Sequence, residues 1–289
     1  MDLPQFKASD ECMTYEQLLH YTSFDVLKVM LSNRTLKCNS LKHVNDRLER
    51  QRKGIEDLTD AFYVSCFCHN QYEIVPFWFM YGGSALDSKK VLLRFKNFAD
   101  DFENTIESDW AFSGDNKKIY FNLKKLFAVN MGGIYCCPID DPQIENRQTI
   151  KAIRLFDVEY LLPDDEAFSK EYKTRGNVSF AESQSLMPAA ISDARLVGKQ
   201  KKIHWEYEAE TRIQCIMDPI GSYYFDHILL RLKDNVFREM VIVANPWASD
   251  DFIADINTAL DESTLQKDIK DTIIVQRSEL DGQIVGRDL

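Results

Sequence analysis

Trp205-Glu206-Tyr207-Glu208-Ala209-Glu210-Thr211-Arg212 is the stretch on which the reading of this chain turns. Continued to Ile213 as a strand, it puts Trp205, Tyr207, Ala209, Thr211 and Ile213 on one face and Glu206, Glu208, Glu210 and Arg212 on the other. As a helix it would scatter Trp205 and Tyr207 and set Glu206 against Glu210 in a repulsive i,i+4 pair. The strand reading wins, with one apolar face and one row of charge. Same-face neighbours on a strand lie about 7 Å apart, so three carboxylates in a dry cleft disfavour one another's ionisation, with Arg212 and a nearby lysine offsetting part of the cost. Two explanations fit such a row. One is a solvated edge strand whose charges discourage aggregation. The other is a carboxylate pair fixed on a rigid element, set to hold a sugar hydroxyl and to stabilise positive charge developing at an anomeric carbon.

Working outward, the C-terminal third carries strand patterns near 202–217, 222–232, 239–244 and 271–276. They surround one helix that begins at Ser249-Asp250-Asp251 and buries Phe252, Ile253, Ile256 and Leu260. Toward the N-terminus, Leu18-Leu19-His20-Tyr21 reads as a strand end and Thr22-x-x-Asp25 as a helix cap. Phe24, Leu27 and Leu31 then make residues 23–33 an amphipathic helix and place His20 at a strand-to-helix junction. Residues 36–41 read as a short strand. Asn45, Asp46 and Glu49 suggest a turn and a helix cap, Ala61 to Cys68 a buried strand, and Pro76 to Tyr81 a short aromatic helix. Lys90 to Phe95 reads as a strand, 97–106 and 116–127 as helices, and 132–162 as strands. Residues 163–200 suggest a helix near 165–172 and a loop around 175–184. The fold class expected is α+β with mixed, mostly antiparallel sheets and flanking helices. One domain over 1–289 is expected, with core motifs at 15–95 and 200–276 and an insertion over 97–200.

The 289 residues are 45% hydrophobic and 28% charged, enough core-forming material to fold without disulfides or metals. A net charge of −11 argues against a coat for duplex DNA or an anionic membrane, since both attract clustered Lys and Arg. Arg47 to Lys53 and Lys199-Gln200-Lys201-Lys202 are local basic runs, of the kind that usually forms a solvated face. No apolar run approaches the ~20 residues that span a bilayer, and Met1 to Glu11 lacks the apolar stretch of a signal peptide, so a cytoplasmic location is expected. Seven scattered cysteines suit reduced thiols. Cys66-x-Cys68-His69 lacks a second ligand pair at zinc spacing, so no metal is expected.

Several segments together resemble a known family. Leu19-His20-Tyr21-Thr22-Ser23, Asn45-Asp46-Arg47-Leu48-Glu49, Val64-Ser65-Cys66-Phe67, Phe77 to Gly82, Trp205 to Arg212 and Met240 to Trp247 occur in the order typical of the bacterial domain of unknown function 2971 family. Arg47 stands where that family commonly has proline, and Trp78-Phe79-Met80-Tyr81 replaces a Trp-Ala-His-Tyr-like block. The family's layout is similar to that of ADP-ribosyltransferases. The resemblance implies NAD as substrate, with Glu210 and Glu208 as the catalytic acidic pair. It further implies that His20 and Thr22 hold ribose and the nicotinamide amide, that Tyr21, Trp78 or Tyr81 stack on a ring, and that Ser23 and Arg212 complete the NAD site. An ADP-ribosyltransferase or NAD glycohydrolase is then expected, as a toxin or phage-defence effector with a neutralising partner protein. Its acceptor is left open among protein, nucleic acid and small molecule. The alternative is a non-catalytic module on the same fold that binds a nucleotide, nucleic acid or protein.

The chemistry accounts for the residue types. Breaking the nicotinamide–ribose bond passes through an oxocarbenium-like cation, the charge type that paired carboxylates manage in glycoside hydrolysis. Cationic nicotinamide is attracted to an aromatic wall by ~0.5–2 kcal/mol.

Overall fold

The computed structural model describes residues 16–50, 56–81, 89–96, 98, 106–113, 118–120, 125–129, 133–137, 150–162, 197–217 and 225–284. These form a mixed α/β fold with mostly antiparallel sheet and few helices. The chain divides into two compact units. The first draws on Lys37–Cys66 and Ser108–Leu230, the second on Met13–Leu36, Phe67–Glu107 and Arg231–Leu289.

In the second unit the central strand is β4 (Lys90–Lys96), whose Val91, Leu92, Leu93 and Phe95 are wholly buried. On one side it pairs antiparallel with β1 (Gln17–Ser23), in the register His20↔Leu93, Thr22↔Val91 and Ser23↔Lys90. On the other it pairs antiparallel with β14 (Val241–Ala244), which pairs in parallel with β15 (Ile274–Arg277). Helix α1 (Phe24–Asn33) follows β1 directly. Its cap is Ser23, whose Oγ accepts from Val26 N at 3.3 Å, in place of the expected Thr22. Because the cap falls one residue later, the strand continues through Thr22, and His20 sits inside β1 instead of at the junction. Helix α1 buries Phe24, Leu27, Met30 and Leu31, and Phe24 packs edge-on against Phe252 of the helix Asp250–Asp261 at 5.3 Å. Ser249 caps that helix by accepting from Phe252 N.

In the first unit β12 (Glu210–Met217), β9 (Ile150–Asp157), β8 (Gly133–Cys137) and β7 (Lys125–Val129) follow one another antiparallel. Strand β2 (Thr35–Ser40) pairs with β3 (Phe62–Cys68) through Asn39↔Val64 and Ser40↔Tyr63. Leu41, Ala61, Phe62, Val64 and Val197 pack together beneath that pair. Short β10 (Glu159–Leu161) and β11 (Gln200–Lys202) run parallel.

Two further expectations fail here. Within the helix expected over 116–127, the described residues are strand: Lys118–Tyr120 and Lys125–Val129 each find a ladder partner, in Trp110–Phe112 and in Gly133–Cys137. The helix expected over 97–106 lies outside the described residues apart from Phe98 and Ile106, the latter beginning strand β5 (Ile106–Ser113). Trp205–Glu208 is not strand: Ile203–Glu208 is a 3-10 helix, and β12 starts only at Glu210. The helix and loop expected over 163–196, and residues 51–53 of the basic stretch, lie outside the described residues.

Candidate functional site

The break between the 3-10 helix and β12 is Ala209, which is left-handed at φ 40° and ψ 56°. That one residue turns the chain so that Glu208, at the end of the helix, and Glu210, at the start of the strand, both reach Lys201. Their nearest oxygens lie 2.6 and 2.7 Å from Lys201 Nζ. Arg212, two residues along the same face of β12, donates from Nε and Nη2 to both Glu210 oxygens, at 2.6 and 3.0 Å. Its Nη1 and Nη2 also engage Glu49 at 2.5 and 3.0 Å, and Nη1 reaches the Gly198 carbonyl at 2.7 Å. The fork of the guanidinium thus clasps two carboxylates at once, a geometry a lysine does not offer.

All five charged groups are buried: Glu49, Glu208 and Glu210 at 3–4% exposure, Lys201 at 6% and Arg212 at 1%. Three carboxylates face two cations. Burial alone would raise the Glu210 pKa, but Arg212 and then Lys201 outweigh it and hold the carboxyl well below its ordinary value. Burial alone would lower the Lys201 pKa, yet Glu210, Glu49 and Glu208 keep it above the ordinary lysine value. Glu210 is therefore a fixed anion. The mutual suppression of ionisation expected from a bare row of glutamates is reversed by cations placed among them.

Supports surround this group. Tyr160 OH accepts from Glu210 N at 2.9 Å, and Thr211 Oγ1 donates to Asp157 at 2.6 Å. Arg154 donates to Gln214 Oε1 and to the Val197 carbonyl, which also takes the Gln214 amide. Cys66 of β3 is exposed as a whole residue, but its thiol hydrogen-bonds the buried Glu210, and desolvation at that sulfur followed by the Glu210 charge pushes its pKa well up. Trp205 is half-buried with Lys201 Nζ 5.2 Å from its ring, and Tyr207 is 44% exposed.

The residues of the early segment belong to the second unit. His20 is half-buried, its ring 5.1 Å from that of Phe67, and by strand alternation it shares a face with the buried Thr22. Tyr21 points to the other face. Its hydroxyl accepts from Ile74 N at 2.8 Å, and its ring meets Phe77 and Trp78 edge-on at 5.1 Å each. Trp78 is wholly buried, its indole N–H given to Glu73, so no ring face is open to a ligand. Tyr81 is half-buried against Phe77, and Ser23 is engaged as the cap of α1.

The structure thus gathers Glu208, Glu210 and Arg212 in one cluster, sets Tyr21 against Trp78 in another, and holds the two clusters in different units. Glu49 and Lys201 complete the first cluster and were not singled out from sequence for that role. Lys201 looked like part of a solvated basic run, and its burial overturns that reading for this residue. Among the described residues no group of three His, Cys, Asp or Glu side chains is placed to hold a metal ion, and no helix is long and apolar enough to cross a membrane. No family model, curated protein or solved structure matches the chain.

Proposed function

We propose that the protein cleaves NAD, as an ADP-ribosyltransferase or NAD glycohydrolase, with Glu210 as the anion that faces the developing oxocarbenium ion and Glu208 as its partner. The observation that carries this reading is the fixation of Glu210. It is ionised, sits on the first residue of a strand, and is oriented through both oxygens by Arg212 and by Lys201. A carboxylate so held needs no reorganisation as positive charge develops, which is where electrostatic catalysis has its advantage, roughly 3–4 kcal/mol per group removed. In this reading His20 and Thr22, on one face of β1, hold the ribose and amide, and the activity serves a toxin or phage-defence effector.

A second reading has its own observation. Glu208 and Glu210 are almost wholly covered and already answered by cations, as suits a structural charge cluster in a non-catalytic module that binds a nucleotide, nucleic acid or protein. The two readings part on nicotinamide release from NAD by the pure protein, measured alone and with cell lysate or nucleic acid as acceptor. Release that is lost in Glu210→Gln and His20→Ala, with both variants folded, supports cleavage. No release from the wild type under any of these conditions selects the binding module.

A further inference from the structure

Glu49 lies on the short helix Arg47–Arg50 of the first unit. Asp46 opens that helix, its Oδ1 accepting from Leu48 N at 2.9 Å. Leu48 then faces solvent at 42% exposure, while the Glu49 side chain turns inward and is 1% exposed. Its oxygens take one edge of the Arg212 guanidinium, at 2.5 Å from Nη1 and 3.0 Å from Nη2, and one of them stands 3.7 Å from Lys201 Nζ. The other edge, Nε and Nη2, is given to Glu210. Arg212 is thus a rigid plate between two carboxylates, gripped at two points on each side.

Charge separates this grip from a simple strut. Without Glu49, the carboxylates Glu208 and Glu210 would only balance Lys201 and Arg212, and a neutral cluster draws a cation weakly. With Glu49 the cluster holds one more negative charge than positive. A neutral amide oxygen could accept from the same Arg212 N–H groups, whereas a third carboxylate also brings the desolvation penalty of another buried anion. The fold alone does not call for that anion; a reaction that develops positive charge does. We propose that Glu49 is the positioning residue of NAD cleavage: it squares Arg212 onto both oxygens of Glu210 and leaves the cluster a surplus negative charge for the transition state. Glu49 touches neither substrate nor reacting atoms and acts through Arg212. The inference rests on the NAD-cleavage reading and gives the Asn45-Asp46-Arg47-Leu48-Glu49 segment a part in it.

Steady-state nicotinamide release by the full chain tests this, under the acceptor condition in which the wild type is active and with thermal unfolding of every variant alongside. Glu49→Gln keeps the shape and an acceptor oxygen but removes the charge, so kcat should fall roughly ten- to hundredfold while KM stays within about threefold. The split follows because the ribose carbon becomes cationic only in the transition state. Glu49→Asp keeps the charge and shortens the reach by one methylene, so its kcat should lie between the two, about three- to tenfold below wild type. A mere strut would lower Tm in both variants and leave kcat alone, or reduce kcat equally in both, and either result overturns the proposal. If Glu49→Gln does not fold, Glu49→Asp decides, and an unchanged kcat or a loss confined to KM overturns it. A wild type that releases no nicotinamide under any condition removes NAD cleavage and this role with it. An active wild type whose kcat is indifferent to Glu49→Gln removes this role alone.

Discussion

Glu208 and Glu210 converge on the single ammonium of Lys201, at 2.6 and 2.7 Å, although they belong to different secondary structures. The left-handed Ala209 between them makes this possible. On a continuous strand the same two side chains would stand about 7 Å apart in a row, each needing its own partner.

Ala209 pays for that turn with its own backbone, since a residue with a Cβ is unfavourable in the left-handed region. Ala209→Gly is expected to stabilise the protein by about 0.5–1 kcal/mol, read from denaturant unfolding at unchanged m. Gly198 should behave oppositely. It sits at φ +69°, and a Cβ there would come within 2.8 Å of the Gln214 amide nitrogen and 3.4 Å of Arg212 Nη1. Gly198→Ala should lose about 1–3 kcal/mol in the same measurement.

Arg212 is the centre of the cluster, and its removal strands Glu49 and Glu210 in the interior. Arg212→Met should cost about 3–5 kcal/mol. Arg212→Lys should recover only part, because one ammonium does not satisfy two carboxylates through four N–H bonds. Urea titration of the two variants beside the wild type checks the order.

Acid should unfold the protein through this cluster. The Glu210 pKa is lower in the folded state than in the unfolded chain, so the unfolded state takes up protons first as pH falls. The stabilisation is complete above about 4.5 and is lost as pH drops toward about 2. Tm measured from pH 6 down to 2.5 should fall most steeply in that window. Glu210→Gln should start lower and show a shallower fall, and an equally steep one would mean that other carboxylates carry the transition.

Cys66 is exposed as a residue, but its thiol, hydrogen-bonded to the buried Glu210, should be a poor nucleophile. Desolvation and the Glu210 anion raise its pKa, which leaves little thiolate at neutral pH. Its alkylation by iodoacetamide, followed by mass spectrometry of its peptide, should run at least about tenfold slower than that of a free thiol. Glu210→Gln should speed it up.

Much of the second unit is legible in the sequence because its signals are local. Ser249 before two aspartates, the spacing of Phe252, Ile256 and Leu260, and the apolar run from Val91 to Phe95 each imply an element that is found. Alternation misleads at Trp205 to Ala209, where a 3-10 turn and one left-handed residue give charged side chains a common target that period-two spacing does not reveal. Glu49 is 163 residues from Arg212, and no local pattern announces that pairing. Lys201 lies in a basic run whose solvated appearance depends on its neighbours' charge, whereas its burial depends on acids contributed by other elements. Lys118–Tyr120 and Lys125–Val129 are strands through their ladder partners, which no local pattern in the sequence announces.

Glu73 gives the chain a schedule. Its side chain is almost wholly enclosed, and besides Trp78 and Arg94 it receives the Ser278 hydroxyl and the Glu279 amide from about 205 residues further on. During synthesis this carboxylate must wait for about 205 further residues before its last donors exist. Strand β15, which pairs with β14, arrives just before them. A chain that stalls short of residue 278 therefore leaves Glu73 without two of its donors.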